Sequence, residues 1–192
     1  MKDKTRGFTL IEVILTLAIT VIVLGVIYTF SFTSQKMLSS TQINAVLQDE
    51  GRDIENSLVD IGMQAKGIKT VNASAVGTTK YYGALLTGDK LQITEISMTG
   101  HDDLRYSFEQ NGTQISLIKY DSTNSIDSTK ILSKNVDKME IRPLDINTVT
   151  VRANAYFANA PGLEVSITLH KKQGLSEITY PISTIVKFRN KE

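Results

Sequence analysis

Hydrophobic positions follow three successive patterns along this chain. From Val13 to Gln35 no residue carries a charge, and Ile, Leu, Val and Phe supply most of the stretch. A hydrocarbon core of about 30 Å needs about 20 helical residues at 1.5 Å each. The run from Phe8 to Phe32 meets that length, with one interruption at Gly25, and predicts a membrane-spanning helix. Farther on, Ile43, Val46, Leu47, Ile54, Leu58, Ile61 and Ala65 fall at three- and four-residue spacings, the signature of one apolar helix face. Span and stripe together predict one long helix to about Lys66, stopped by Gly67. Gly51 and Gly62 count against it, by up to about 1 kcal/mol each relative to alanine.

Past Gly67 the period becomes two. Leu104, Tyr106 and Phe108 alternate with polar residues, Asn111-Gly112 intervenes, and Ile115 and Leu117 resume the alternation. That pattern predicts a hairpin with a type I′ turn at Asn111-Gly112. Val136 to Ile141 predicts a short strand ended by Pro143. Leu163, Val165, Ile167 and Leu169 predict another. A turn at Lys171 to Gly174 follows, then a returning strand from Ile178 to Phe188, in which Pro181 implies a sheet edge or a bulge. Segments 71–90 and 121–130, rich in Thr, Ser, Gly, Asn and Asp, read as loops. The implied fold class is α+β: a long N-terminal helix, membrane-spanning in its first half and amphipathic in its second, packed against a C-terminal antiparallel β-sheet head. Ile54, Leu58 and Ile61 against Leu163, Val165 and Ile167 are the expected core.

Charge orients this arrangement. Lys2, Lys4 and Arg6 precede the span against a lone Asp3, so the short N-terminal end is expected in the cytoplasm and the head outside. A cleaved secretory signal fits poorly: its apolar region runs about 7–15 residues, and no small-residue cleavage site closes this one. The formal net charge of +1 gives no field to attract nucleic acid. The 192 residues include no cysteine, which excludes disulfides, thiolate metal sites and cysteine nucleophiles. Glu12 stands out, a carboxylate four residues inside the apolar run. It either snorkels to the headgroups or performs a task within the membrane.

The string Lys4-Thr5-Arg6-Gly7-Phe8-Thr9-Leu10-Ile11-Glu12, followed by the apolar helix, resembles the processing signature of type IV prepilins and pseudopilins. The resemblance implies a basic leader over residues 1–7, cleaved after Gly7 by a membrane prepilin peptidase, and methylation of the new amine on Phe8. It implies that Glu12 meets the N-terminal amine of a neighbouring subunit during assembly. Leu47 to Met63 and the closing Ser183 to Asn190 are similar to minor pilins of the PilW type and their type II secretion counterparts of the J type. On that basis residues 8–34 form a transmembrane and polymerisation helix, and residues 35–192 an exported head. Expected partners are other pilin or pseudopilin subunits, the peptidase, the membrane and a pilus assembly platform driven by a cytoplasmic ATPase. The expected location is the cytoplasmic membrane before assembly and a cell-surface pilus or pseudopilus after it.

The remaining chemistry is sparse. His101 and His170 lie far apart and outside any ligand-spaced cluster, and His101-Asp102-Asp103 reads as a polar turn before a strand. No Gly-x-Ser-x-Gly elbow or Ser/His/Asp set is present. Lys187, Arg189 and Lys191 recur at strand period and read as a solvated tail; Tyr81-Tyr82 reads as loop packing. No enzyme activity, metal, cofactor, small-molecule ligand or nucleic acid is expected. The competing function is a monomeric membrane-tethered module that binds a ligand or DNA through its head, and processing after Gly7 separates the two.

Overall fold

In the computed structural model, described for residues 9–75, 90–144, 157 and 160–189, the chain begins with helix α1 (Leu10–Gln64). Its 55 residues extend about 80 Å at 1.5 Å per residue. The helix stops two residues earlier than Lys66 and by a different device. Ala65 takes an extended conformation (φ −71°, ψ 142°), and its N–H donates to the Gly62 carbonyl at 3.1 Å. Lys66 N–H then donates to the Thr99 carbonyl at 2.8 Å, and Gly67 opens the first strand opposite Thr99. Capture of the chain by a neighbouring strand ends the helix, so no left-handed glycine cap is required.

Among the described residues ten strands follow: β1 (Gly67–Val71), β2 (Ser74–Ala75), β3 (Leu91–Ile93), β4 (Glu95–Thr99), β5 (Arg105–Asn111), β6 (Gln114–Tyr120), β7 (Ile126–Ser133), β8 (Val136–Pro143), β9 (Gly162–Gln173) and β10 (Ser176–Lys187). They form two antiparallel sheets where the alternation pattern implied one. The six-stranded sheet has the order β2-β1-β4-β5-β6-β7, and the four-stranded sheet the order β10-β9-β8-β3. Only Thr94 separates β3 from β4, so the chain crosses between sheets there, and Gln110 N–H closes the corner on the Thr94 carbonyl at 2.7 Å.

The α+β class stands, with a single long apolar helix against antiparallel sheets. Several local expectations change. The β5–β6 loop is Gly112-Thr113, because Asn111 already pairs with Gln114; only Gly112 has positive φ (59°), which fits a type II′ turn instead of I′. The β9–β10 loop is Gly174-Leu175, one step beyond Lys171–Gly174, with Gly174 at φ 57° and Gln173 paired to Ser176. Residues 126–130 are strand β7 and not loop: its polar side chains face solvent while its backbone pairs with β6, so composition concealed it. Val71 and Ser74-Ala75 likewise pair. Strand β8 extends to include Pro143. Pro181 does lie on an edge strand, β10, as its missing N–H demands.

The four-stranded sheet lays its apolar face on the upper part of α1. Cross-strand partners Leu163 and Val186, Ile167 and Ile182, Val165 and Ile141, and Ile167 and Met139 are all buried together. From the helix come Ile43, Leu47, Gly51, Ile54, Leu58 and Gly62, with Ile61 half-buried. The expected core of Ile54, Leu58, Leu163, Val165 and Ile167 is present. Strand β10 runs beside the helix in the same direction: Ser176 at Lys36, Tyr180 and Ile182 at Gly51, Thr184 at Glu55, and Val186 at Gly62. The two glycines that weakened the helix pattern make this approach possible. A β-carbon on Gly62 would sit 1.9 Å from Val186 Cγ1, and one on Gly51 would lie 3.0 Å from Ile182 Cδ1. A second fastening is polar: the Glu50 carboxylate accepts from Asn135 Nδ2 at 2.8 Å and from Ser133 Oγ at 2.5 Å, tying the β7–β8 connection to mid-helix.

The N-terminal segment as candidate processing and assembly site

Thr9 caps α1 in an extended conformation (φ −77°, ψ 151°), and Glu12 completes a reciprocal box with it. The Thr9 N–H donates to Glu12 Oε2 at 2.9 Å, Thr9 Oγ1 donates to the same oxygen at 3.0 Å, and Glu12 N–H reaches back to Thr9 Oγ1 at 3.4 Å. Such a box satisfies two backbone donors that a helix start otherwise leaves open. The spacing Thr9-x-x-Glu12 carries this signal in the sequence, beside the membrane and assembly roles that its charge suggests. The carboxylate therefore points back toward the chain start and is held one residue from Phe8 in sequence, in an exposed position. Residues 1–8, Gly7 and Phe8 among them, lie outside the described residues.

Beyond the cap, no residue from Leu10 to Gln42 is buried, although the stretch holds Leu, Ile, Val and Phe on every side. Within the described residues α1 is the one helix long and apolar enough to cross a membrane. Four of its hydroxyls bond back onto the helix: Thr16 Oγ1 donates to the Val13 carbonyl, Thr20 to Thr16, Thr29 to Gly25 and Thr33 to Thr29, all within 2.9 Å. Hydroxyls bonded back onto their own helix leave lipid or a neighbouring helix nothing polar to solvate. Ile22, Gly25, Val26, Thr29, Phe30 and Thr33 line a shallow groove, opened by the missing side chain of Gly25.

The head's titratable residues serve the head itself. Asp102 accepts from the Tyr106 hydroxyl at 2.8 Å, and Asp103 pairs with Lys66 Nζ at 2.6 Å, so the His101-Asp102-Asp103 turn docks the end of the helix. Loss of water around Tyr106, together with that bond to Asp102, pushes its phenol up to about 12. His170 pairs with Glu177 at 2.9 Å across the β9–β10 hairpin. On the outer face of the four-stranded sheet, Glu164 is buried between Lys90 (2.6 Å) and Arg142. The Lys90 bond, aided by Arg142, holds its carboxyl below the usual range against the opposing effect of burial. Among the described residues no group of three His, Cys, Asp or Glu could hold a metal ion. Lys187 ends β10 and Arg189 lies past it, so the terminal basic residues do not continue one strand face. Lys191 and Tyr81-Tyr82 lie outside the described residues.

Comparison with known proteins gives one result, and it falls on this segment. Residues 2–28 match the model of the prokaryotic N-terminal methylation motif. No curated protein and no solved structure matches the chain significantly. By that motif, and by the bare apolar half-helix that continues from it, the chain is similar to type IV pilin-like proteins, which are processed by prepilin peptidase and built around a membrane helix.

Proposed function

We propose that this chain is a minor structural subunit of a type IV pilus or pseudopilus. Prepilin peptidase cuts it between Gly7 and Phe8, Phe8 is methylated on its amine, and the subunit assembles through α1 with its head outside the membrane. One observation carries this reading: a methylation motif over residues 2–28 leads into about thirty helical residues, none buried by the chain's own head. A helix apolar on every side needs lipid or other helices to cover it, and a polymer supplies both in turn. The work of the protein is then assembly, with no reaction catalysed.

Cleavage creates an ammonium on Phe8, next to the residue on which Glu12 already rests. Within the lone subunit the carboxylate caps its own helix; within a filament it would pair with the amine of a neighbour. A one-turn slip would leave both charges unpaired in a medium of low dielectric, so the pair fixes register. Mass spectrometry of membrane-extracted protein tests processing: a mature chain starting at methylated Phe8 is expected. An intact Met1 terminus in cells with an active prepilin peptidase would overturn the reading.

Two substitutions separate the roles of Glu12. Glu12→Gln keeps an oxygen to accept from the Thr9 N–H but carries no charge, whereas Glu12→Leu removes both. If pairing matters, both variants are inserted and cleaved, yet both fall out of sheared filament fractions. Losing one half of a buried pair costs about 3–5 kcal/mol, more than a hundredfold in an assembly equilibrium. Wild-type incorporation of Glu12→Gln alongside failure of Glu12→Leu would instead assign Glu12 to capping alone.

A further inference from the structure

The β9–β10 hairpin ends at the level where the uncharged span ends. Ser176 Oγ donates to the Lys36 carbonyl at 3.1 Å, and Ser39 Oγ donates to the Gln173 carbonyl at 3.2 Å. These two bonds pin the hairpin tip to the first helical turn after Gln35, the last residue of the charge-free stretch. The tip itself is Gly174-Leu175, and Leu175 stands 64% exposed there. Met37 and Leu38 on the adjoining turn of α1 are exposed as well, 72% and 63%. Lys36 lies on that turn of α1, and Lys171 and Lys172 lie near the end of β9, just before the tip, where Glu177 pairs with His170 and Lys172.

A lone exposed leucine needs no explanation. Three apolar side chains at one level, with lysines on the same turn and hairpin and adjoining a span, form the composition that settles at a bilayer interface. Apolar groups enter the acyl boundary there, and ammonium groups stay among phosphates. The geometry points to the β9–β10 tip as a second membrane contact, resting on the anionic headgroups of the leaflet on the head side and fixing the height and tilt of the head before assembly. This rests on the reading of α1 as a membrane span. The span alone would leave helix and head free to tilt together; a contact beside it converts one point of attachment into two.

The absence of cysteine allows a single label anywhere. The full-length chain carrying Gln173→Cys, modified with a polarity-sensitive fluorophore, is reconstituted into phosphatidylcholine vesicles with and without phosphatidylglycerol, with acyl chains brominated near the headgroup. Val23→Cys reports on the span, and His101→Cys on the far end of the head, about 45 Å up the helix from Lys36. At position 173 a blue shift and quenching are expected, stronger with phosphatidylglycerol, with neither at position 101. Leu175→Ser in the labelled chain should abolish the shift. Lys171→Gln with Lys172→Gln should weaken its dependence on anionic lipid by about fivefold per lysine, the worth of one cation near such a surface. A blue shift at 23 with neither shift nor quenching at 173 would overturn this inference while leaving the span intact. No blue shift at 23 would remove the span and this contact together.

Discussion

The two halves of α1 share one unbroken backbone and bury their apolar side chains by opposite means. From Ile43 to Gly62 the buried positions are 43, 47, 51, 54, 58 and 62, a single stripe covered by β9 and β10. From Leu10 to Gln42 apolar residues occupy every side and the fold covers none of them. The upper half is stable because of what the head places against it. The lower half is stable only in what surrounds the protein. The glycines show the difference most directly. Gly62 and Gly51 are each in contact range of β10, whereas a β-carbon on Gly25 would meet nothing within 4 Å. The same residue type is a packing requirement in one half and leaves an open groove in the other.

Truncation of the stripe should test this contrast with the largest effect. Leu58→Ala empties a fully buried site and should cost the head about 3 kcal/mol, against no change for Leu17→Ala, whose side chain is 60% exposed. Thermal melting of the full-length protein in detergent measures both, and equal losses would break the comparison. Adding volume comes next. Gly62→Ala forces its new methyl into Val186 and should destabilise by about 2 kcal/mol, even after alanine's gain in helix propensity. Gly25→Ala should leave the melting temperature of the head unchanged.

The smallest effect concerns charge, which the lower half carries only at Glu12 and Lys36 and which the head organises. Glu164, held by Lys90 and then Arg142, titrates below its ordinary value when folded. The unfolded chain therefore takes up that proton first as pH falls. The stabilisation is present above about pH 4.3, the unfolded carboxyl's range, and is lost as pH drops through the lower folded value. Because Arg142 is half exposed, the loss should be only about 1 kcal/mol. Comparing acid unfolding of wild type with Glu164→Gln isolates it, since the other depressed carboxylates of the head, Asp102, Asp121 and Glu177, are unchanged in both. An identical acid limb in the two proteins would mean that the Lys90–Glu164–Arg142 cluster contributes nothing.

Sequence alone determined the elements whose cause is local. A charge-free run long enough to cross lipid, a 3.6-residue stripe, strict alternation in β9 and the basic residues Lys2, Lys4 and Arg6 before Gly7-Phe8 are all properties of neighbours in the chain. The helix, the α+β class and the N-terminal motif were legible for that reason. Tertiary structure decided what depends on residues far apart. The helix ends at Gln64 because the Thr99 carbonyl captures the N–H of Lys66, from more than thirty residues away. Strand β7 exists because β6 pairs with it, in spite of a sequence that reads as loop. The division into two sheets follows from a crossing at Thr94 that no periodicity marks. Gly51 and Gly62 appeared as defects of the helix until β10 was seen to need the space they leave. Periodicity records which face of an element is apolar; which surface covers that face is set by distant contacts.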